Sequence, residues 1–185
     1  MNSKNPSIPI RDMVYTALFA AVLCAVAPFS ISIGPIPLSF ATLVIYLAAG
    51  SLNWKYGVLS VVLYVALGAI GIPVFSNFEG GFHKIAGVTG GFIVGYIPLA
   101  LATGLSAELI KGKRLIFILG MVVGTFLLYT CGVAWFMLQT GASLMAALMA
   151  CVTPFLIGDT IKIVLACIAA PQLRAALQRG NYTRG

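Results

Sequence analysis

Charge is what this sequence has least of. Only 8% of its 185 residues are Asp, Glu, Lys or Arg, where a soluble domain carries about 25%. The carboxylates number four: Asp12, Glu79, Glu108 and Asp159. With 61% apolar residues and a mean hydropathy of +1.06, this scarcity excludes an ordinary soluble domain and marks an integral membrane protein. Histidine occurs once, as His83, so neither a metal site nor a His-based triad can form around a second one. The sequence lacks G-x-x-x-x-G-K-[ST] and H-E-x-x-H, which removes ATP binding by a P-loop and zinc proteolysis. Any ATP-driven step must come from a partner. Cys24, Cys131, Cys151 and Cys167 show no C-x-x-C spacing and sit in apolar segments. They read as packing residues rather than disulfides or metal ligands. No cofactor, no metal and no catalytic residue is expected, because no nucleophile stands beside a base and no carboxylates pair.

What is present is long, continuous apolar sequence. It does not alternate as barrel strands do, so the spans are helices. The reading is an all-α integral membrane protein, a single domain over residues 1–185. Six transmembrane helices are expected, at about 12–29, 38–52, 58–72, 91–109, 115–138 and 153–171. The breakers Gly34, Pro35 and Pro37 separate the first two. Asn53 to Gly57 reads as a turn. The apolar piece between Gln139 and Val152 reads as lying along the membrane surface. Thr153 as N-cap with Pro154 at the first helical position starts the sixth span. Met1 to Pro9 is a short polar lead without the features of a cleavable signal.

Six spans put both termini on one side. Lys4, Arg11, Lys55, Lys111, Lys113, Arg114, Arg174, Arg179 and Arg184 then share that side, against Lys84 alone on the other. The bias places the termini in the cytoplasm. The net charge of +7 reflects these loops and tails. It forms no basic stripe with interleaved aromatics, so no nucleic-acid partner is expected.

Two ionisable residues fall inside an apolar run, Asp159 and Lys162 in Thr153-Pro154-Phe155-Leu156-Ile157-Gly158-Asp159-Thr160-Ile161-Lys162. Three residues apart, they share a helix face. A charge at membrane depth costs several kcal/mol unless paired or wet, which makes the pair a candidate functional site. It lies about 10 Å below the outer start of its helix. The readings are a structural ion pair, a proton relay, or a pocket in which Asp159 accepts ligand N–H groups and Lys162 meets ligand oxygens. Nothing ionisable continues inward to extend a relay. The glycine-rich outer segment, Gly71 to Gly91, has the makings of a lid. Phe75, Phe78 and Phe82 supply its apolar side. Asn77, Glu79, His83, Lys84 and Thr89 are its polar groups. In the first span Ala17, Ala21 and Ala25 form a small-residue stripe, for internal packing or for docking another membrane protein. Gly91 with Gly95, and Gly120 with Gly124, suit internal packing.

These residues resemble the BioY family, the biotin-specific S components of energy-coupling factor (ECF) transporters. The block from Pro154 to Lys162 resembles P-F-L-P-G-D-x-x-K. Gly71 to Phe75, Gly80-Gly81 and Gly87 to Phe92 resemble G-x-P-V-F…G-G…G-P-T-G-G-Y. Ile36, Pro37, Ser39, Thr42, Gly50, Tyr56 and Gly57 resemble the family's second helix. Departures are Ile157 and Val88 for prolines and Ala41 for a glutamine. The resemblance implies an S-component-like six-helix bundle in a prokaryotic cell membrane, capturing biotin from outside. It implies ligand-binding roles for Asp159 and Lys162. It also implies docking through Ala17, Ala21 and Ala25 to a transmembrane coupling subunit that carries two cytosolic ATPases. Asn77, Lys84, Ser39 and Thr89 complete the expected ligand set. Ala41 keeps open another small vitamin, such as thiamine or a lipoate-like acid.

Overall fold

The computed structural model describes residues 10–32, 36–109 and 114–179. Lys4, Gly34, Pro35, Lys111, Lys113 and Arg184, all invoked above, lie outside the described residues. The elements in order are α1 (Ile10–Val26), β1 (Ser30–Ser32), β2 (Pro37–Ser39), α2 (Ala41–Ser51), α3 (Trp54–Ala69), a tight turn at Ser76–Phe78, α4 (Phe82–Ala86), α5 (Gly90–Leu109), α6 (Arg114–Thr140), α7 (Leu144–Cys151) and α8 (Phe155–Arg179). Three helices, α5, α6 and α8, are long and apolar enough to cross a membrane, and α2 and α3 are shorter apolar helices.

The burial pattern is that of a protein solvated by hydrocarbon. On α8 the exposed side chains include Leu156, Ile157, Ile161, Val164, Leu165 and Ile168, while Asp159 and Lys162 are buried. An apolar exterior around an interior charge pair inverts the soluble arrangement.

Local chemistry moves several boundaries. Pro37 to Ser39 pairs with β1 in an antiparallel hairpin, Ser30 opposite Ser39. α2 therefore starts at Ala41, with the Ser39 hydroxyl accepting the Ala41 N–H. The turn expected at Asn53 to Gly57 is instead the first turn of α3, because the Asn53 side chain caps it by accepting the Lys55 N–H. Thr153 does not cap α8. Its hydroxyl turns back to the Leu148 carbonyl, and Val152 supplies the carbonyl that Leu156 N–H binds. Pro171 does not end α8, which continues to Arg179. Bonds to neighbouring helices brace both sides of that proline: Ser51 Oγ donates to Ala170 O, and Arg174 Nη1 donates to Ala107 O. The outer segment contains α4 rather than being wholly irregular.

α5 and α6 pack through their glycines. A Cβ at Gly91 would overlap Trp135 and the Cys131 carbonyl, and one at Gly124 would stand 2.9 Å from Leu99 Cδ1. Gly91→Ala is therefore expected to destabilise the bundle by about 1–3 kcal/mol through overpacking. Thermal unfolding in detergent measures it; an unchanged midpoint would mean these helices separate without strain.

Candidate functional site

α8 carries its buried residues, Phe155, Asp159, Lys162, Ala166 and Ala170, on one face turned toward α2 and α6. Asp159 and Lys162 are 4% and 6% exposed, so the pair is enclosed by protein and not set in lipid. Lys162 Nζ donates to Asp159 Oδ1 at 2.9 Å, to Ser39 O at 2.8 Å and to Thr42 Oγ1 at 3.0 Å. An ammonium has three N–H groups, and all three are engaged. The second Asp159 oxygen, Oδ2, accepts the Tyr129 hydroxyl at 2.6 Å, and Thr42 Oγ1 contacts Oδ1 at 3.4 Å. Both charges are thus paired and hydrogen-bonded, the condition under which burial is tolerable.

The cluster opens on a cavity of about 40 Å³ lined by Leu38, Ser39, Thr42, Leu128, Tyr129, Phe155, Asp159 and Lys162. A second cavity, of about 30 Å³, is lined by Tyr64, Phe75, Ser76, Lys84, Thr89 and Ile93. Ile36, Pro37, Phe92 and Tyr96 line both. They divide one recess into a deep lobe at Asp159 and an outer lobe at Lys84. Each lobe has room for water.

The Gly71 to Gly91 segment roofs this recess. Phe75 is buried edge-on against Tyr64. Gly81 N–H donates to Gly68 O, Asn77 N–H to Pro28 O, and Trp135 Nε1 to Gly87 O. Phe78 stacks edge-on against Phe29. These bonds tie the roof to α3, to the end of α1 and to α6. Lys84 forms an ion pair with Glu79 across it.

The structure therefore brings together Asp159, Lys162 and Ser39 in one lobe and Lys84 and Thr89 in the other. Asn77 is elsewhere. It is exposed at a positive φ of 64°, and Ser30 Oγ donates to its Oδ1. Its place is in the roof's anchorage rather than in the lining of either lobe. Ala17, Ala21 and Ala25 are all exposed on α1, whose buried residues are Thr16, Ala20 and Leu23. The alanine stripe thus faces away from the bundle. Ala41 is buried in the core.

Tyr129 and its neighbours are absent from the sequence-based set. Thr42 with Tyr46 on α2, and Thr125 with Tyr129 on α6, are two polar pairs at i, i+4 inside apolar helices. They face each other: Tyr46 Oη lies 2.6 Å from Thr125 Oγ1. Polar side chains repeating at helical spacing within an apolar span were the available signal.

A helical bundle with an apolar exterior, a paired charge inside and a roofed recess above it defines a small-ligand-binding membrane protein. The chain belongs to the BioY family, whose model matches residues 1–179. It is 36% identical to the biotin transporter BioY of Thermotoga maritima over 89% of this chain and 96% of that protein. It is 34% identical to a probable biotin transporter BioY of Pyrococcus horikoshii over 89% and 96% of the two chains. It is 32% identical to biotin transporter BioY2 of Lactococcus lactis subsp. cremoris over 93% and 94%. The fold matches a crystal structure of the S-component for biotin from an ECF-type ABC transporter, with a TM-score of 0.81, 24% identity and 95% coverage of both chains.

Proposed function

We propose that this chain is the biotin-capturing S component of an ATP-driven vitamin importer, a binding subunit and not an enzyme. The buried Asp159–Lys162 pair beneath a roofed recess carries the reading. Biotin presents two ureido N–H donors and a carbonyl, a compact apolar ring, and a carboxylate on a flexible tail. Asp159 accepts a ureido N–H through the lone pairs that Tyr129 and Lys162 leave, and Phe92, Tyr96 and Phe155 surround the ring. The tail carboxylate reaches Lys84 in the outer lobe, where Thr89 offers a hydroxyl. A ligand oxygen can bond Lys162 only by displacing Ser39 O, Thr42 or Asp159, so capture rearranges this cluster. The lobes are too small for a bicyclic ligand as they stand, and entry requires the roof to move. The same inventory disfavours the other vitamins. Cationic thiamine would meet Lys84 and Lys162, and a lipoate-like acid brings no N–H for Asp159.

In this reading six spans cross a prokaryotic plasma membrane with both termini cytoplasmic. Arg11, Lys55, Arg114, Arg174 and Arg179 flank the inner side, and Lys84 is outside. The exposed Ala17, Ala21 and Ala25 dock a transmembrane coupling subunit, and two cytosolic ATPases supply the energy, since this chain has no nucleotide motif. It uses no cofactor of its own.

Calorimetric titration of the purified protein with biotin, lipoate and thiamine tests the assignment. Biotin should bind about 100-fold or more tightly than either, about 2.7 kcal/mol. Equal or tighter binding of another vitamin would overturn it. Lys84→Gln should weaken biotin about tenfold while leaving biotin methyl ester nearly unchanged, since a partly exposed charge contact is worth about 1 kcal/mol. Equal losses for acid and ester would remove Lys84 from the carboxylate.

A further inference from the structure

Two of the chain's four carboxylates belong to the recess, Asp159 directly and Glu79 through Lys84. The other two, Asp12 and Glu108, meet in a separate cavity of about 230 Å³. It is larger than either lobe of the recess. Arg11, Arg174, Tyr15 and Tyr56 share its walls. These residues come from the start of α1, the start of α3, the end of α5 and the end of α8. Arg174 lies fifteen positions beyond Asp159 on α8, about 22 Å along the helix axis. In a chain so poor in charge, two carboxylates and two guanidiniums around one cavity are a concentration that packing does not require.

The bonds already made there leave capacity. Glu108 Oε1 accepts the Trp54 N–H at 3.1 Å, and its other oxygen is available. Arg174 gives one N–H to Ala107 O at 2.9 Å out of the five a guanidinium has. Arg11 lies over the Tyr15 ring, 5.8 Å from its centroid, and its 3.9 Å approach to Asp12 is too long for a hydrogen bond that would occupy that carboxylate. The cavity also sits where the apolar exterior ends. The exposed apolar residues of α8 extend to Leu173, and Arg174 follows. Tyr15, Tyr56 and Trp54 gather at the same end, the residue types that settle at headgroup level.

Guanidiniums recognise a phosphate, and carboxylates recognise an ammonium. A purely anionic headgroup would face Asp12 and Glu108, and a purely cationic one would face both arginines. We propose that this cavity binds a bilayer lipid through an aminophosphate headgroup of the phosphoethanolamine type, with Arg174 on the phosphate and Glu108 and Asp12 on the ammonium. The proposal is independent of the vitamin that occupies the recess.

Thermal unfolding of the purified full-length protein in detergent is read against dioctanoyl-phosphatidylethanolamine, dioctanoyl-phosphatidylglycerol and free O-phosphoethanolamine. The first should raise the midpoint by about 3 °C or more near saturation, and the other two by about a third of that or less. Arg174→Gln should cut the phosphatidylethanolamine shift about threefold or more. Glu108→Gln should let phosphatidylglycerol match phosphatidylethanolamine. Because Glu108 also holds the Trp54 N–H, Asp12→Asn is the second variant and should lose selectivity in the same direction. Biotin affinity in all three variants should stay within about twofold of wild type, which reads the two sites separately. Equal shifts from both lipids in wild type, or a full shift retained in Arg174→Gln, would overturn the proposal. A shift from free O-phosphoethanolamine as large as that from the lipid would overturn the lipid source.

Discussion

Asp159→Asn is expected to lower biotin affinity by about 100-fold or more and to destabilise the protein at the same time. The substitution keeps the shape and removes the charge. Lys162 is 6% exposed and has no other carboxylate among its partners, which are Ser39 O and Thr42 Oγ1. A buried ammonium stripped of its counter-charge costs about 3–5 kcal/mol. The same change replaces a strong acceptor of ureido N–H groups with an amide that offers only one oxygen, a loss of about 1.5–3 kcal/mol for a charged hydrogen bond. The two effects separate in the double variant Asp159→Asn/Lys162→Met. There the unpaired cation is gone, so the thermal midpoint should return toward wild type. Biotin binding should not return, because the acceptor is still missing. Calorimetry and thermal unfolding on the three variants make the measurement. If Asp159→Asn binds biotin as wild type does, Asp159 is a structural residue and the recess must use other groups. If the double variant regains both stability and binding, the pair matters to the ligand only through the fold.

The buried charge pair of the candidate site was legible because membrane insertion makes charge conspicuous. Asp159 and Lys162 stand out in an apolar run by composition alone, and their three-residue spacing fixes a common face. The roof was legible from Gly71 to Gly91, where clustered glycines and Pro73 disfavour one long continuous helix. What the sequence did not reveal are the partners contributed from far along the chain. Tyr129 is 30 residues from Asp159 and Thr42 is 117 residues from it. Neither spacing nor composition ties either one to Asp159 until α2, α6 and α8 converge. Asn77 could not be placed from sequence for the related reason that a polar residue in a lid can face a recess or the protein. Ser30, brought to it by the β1–β2 hairpin, decides for the protein. The helix ends were the least legible. Pro171 reads as a terminator by local rules, and only the contacts of Ser51 and Arg174 across to other helices show why α8 passes through it.

Ala21→Trp is expected to reduce biotin uptake by the assembled transporter by about tenfold or more while leaving biotin binding to the isolated chain within about twofold. On α1 the buried positions are Thr16, Ala20 and Leu23, so the residues at 17, 21 and 25 project from the other side. Their neighbours there, Met13, Val14, Leu18 and Val22, are larger and also exposed. Three methyl groups one turn apart between bulkier rows make a shallow channel, the relief that lets a second helix approach closely. An indole at its centre holds that helix off. Lipid would not object to the change, because tryptophan is apolar and acyl chains conform to its shape. A face that merely contacts lipid therefore predicts no loss of uptake, and a docking face predicts a large one. Val164→Trp is the control, on an exposed stretch of α8 with no small-residue stripe; it should leave uptake intact. No α1 residue is among those lining either lobe. Loss of binding together with uptake would mean that the indole disturbs the fold. Retention of both would assign the stripe to lipid, and the coupling subunit would have to meet another face.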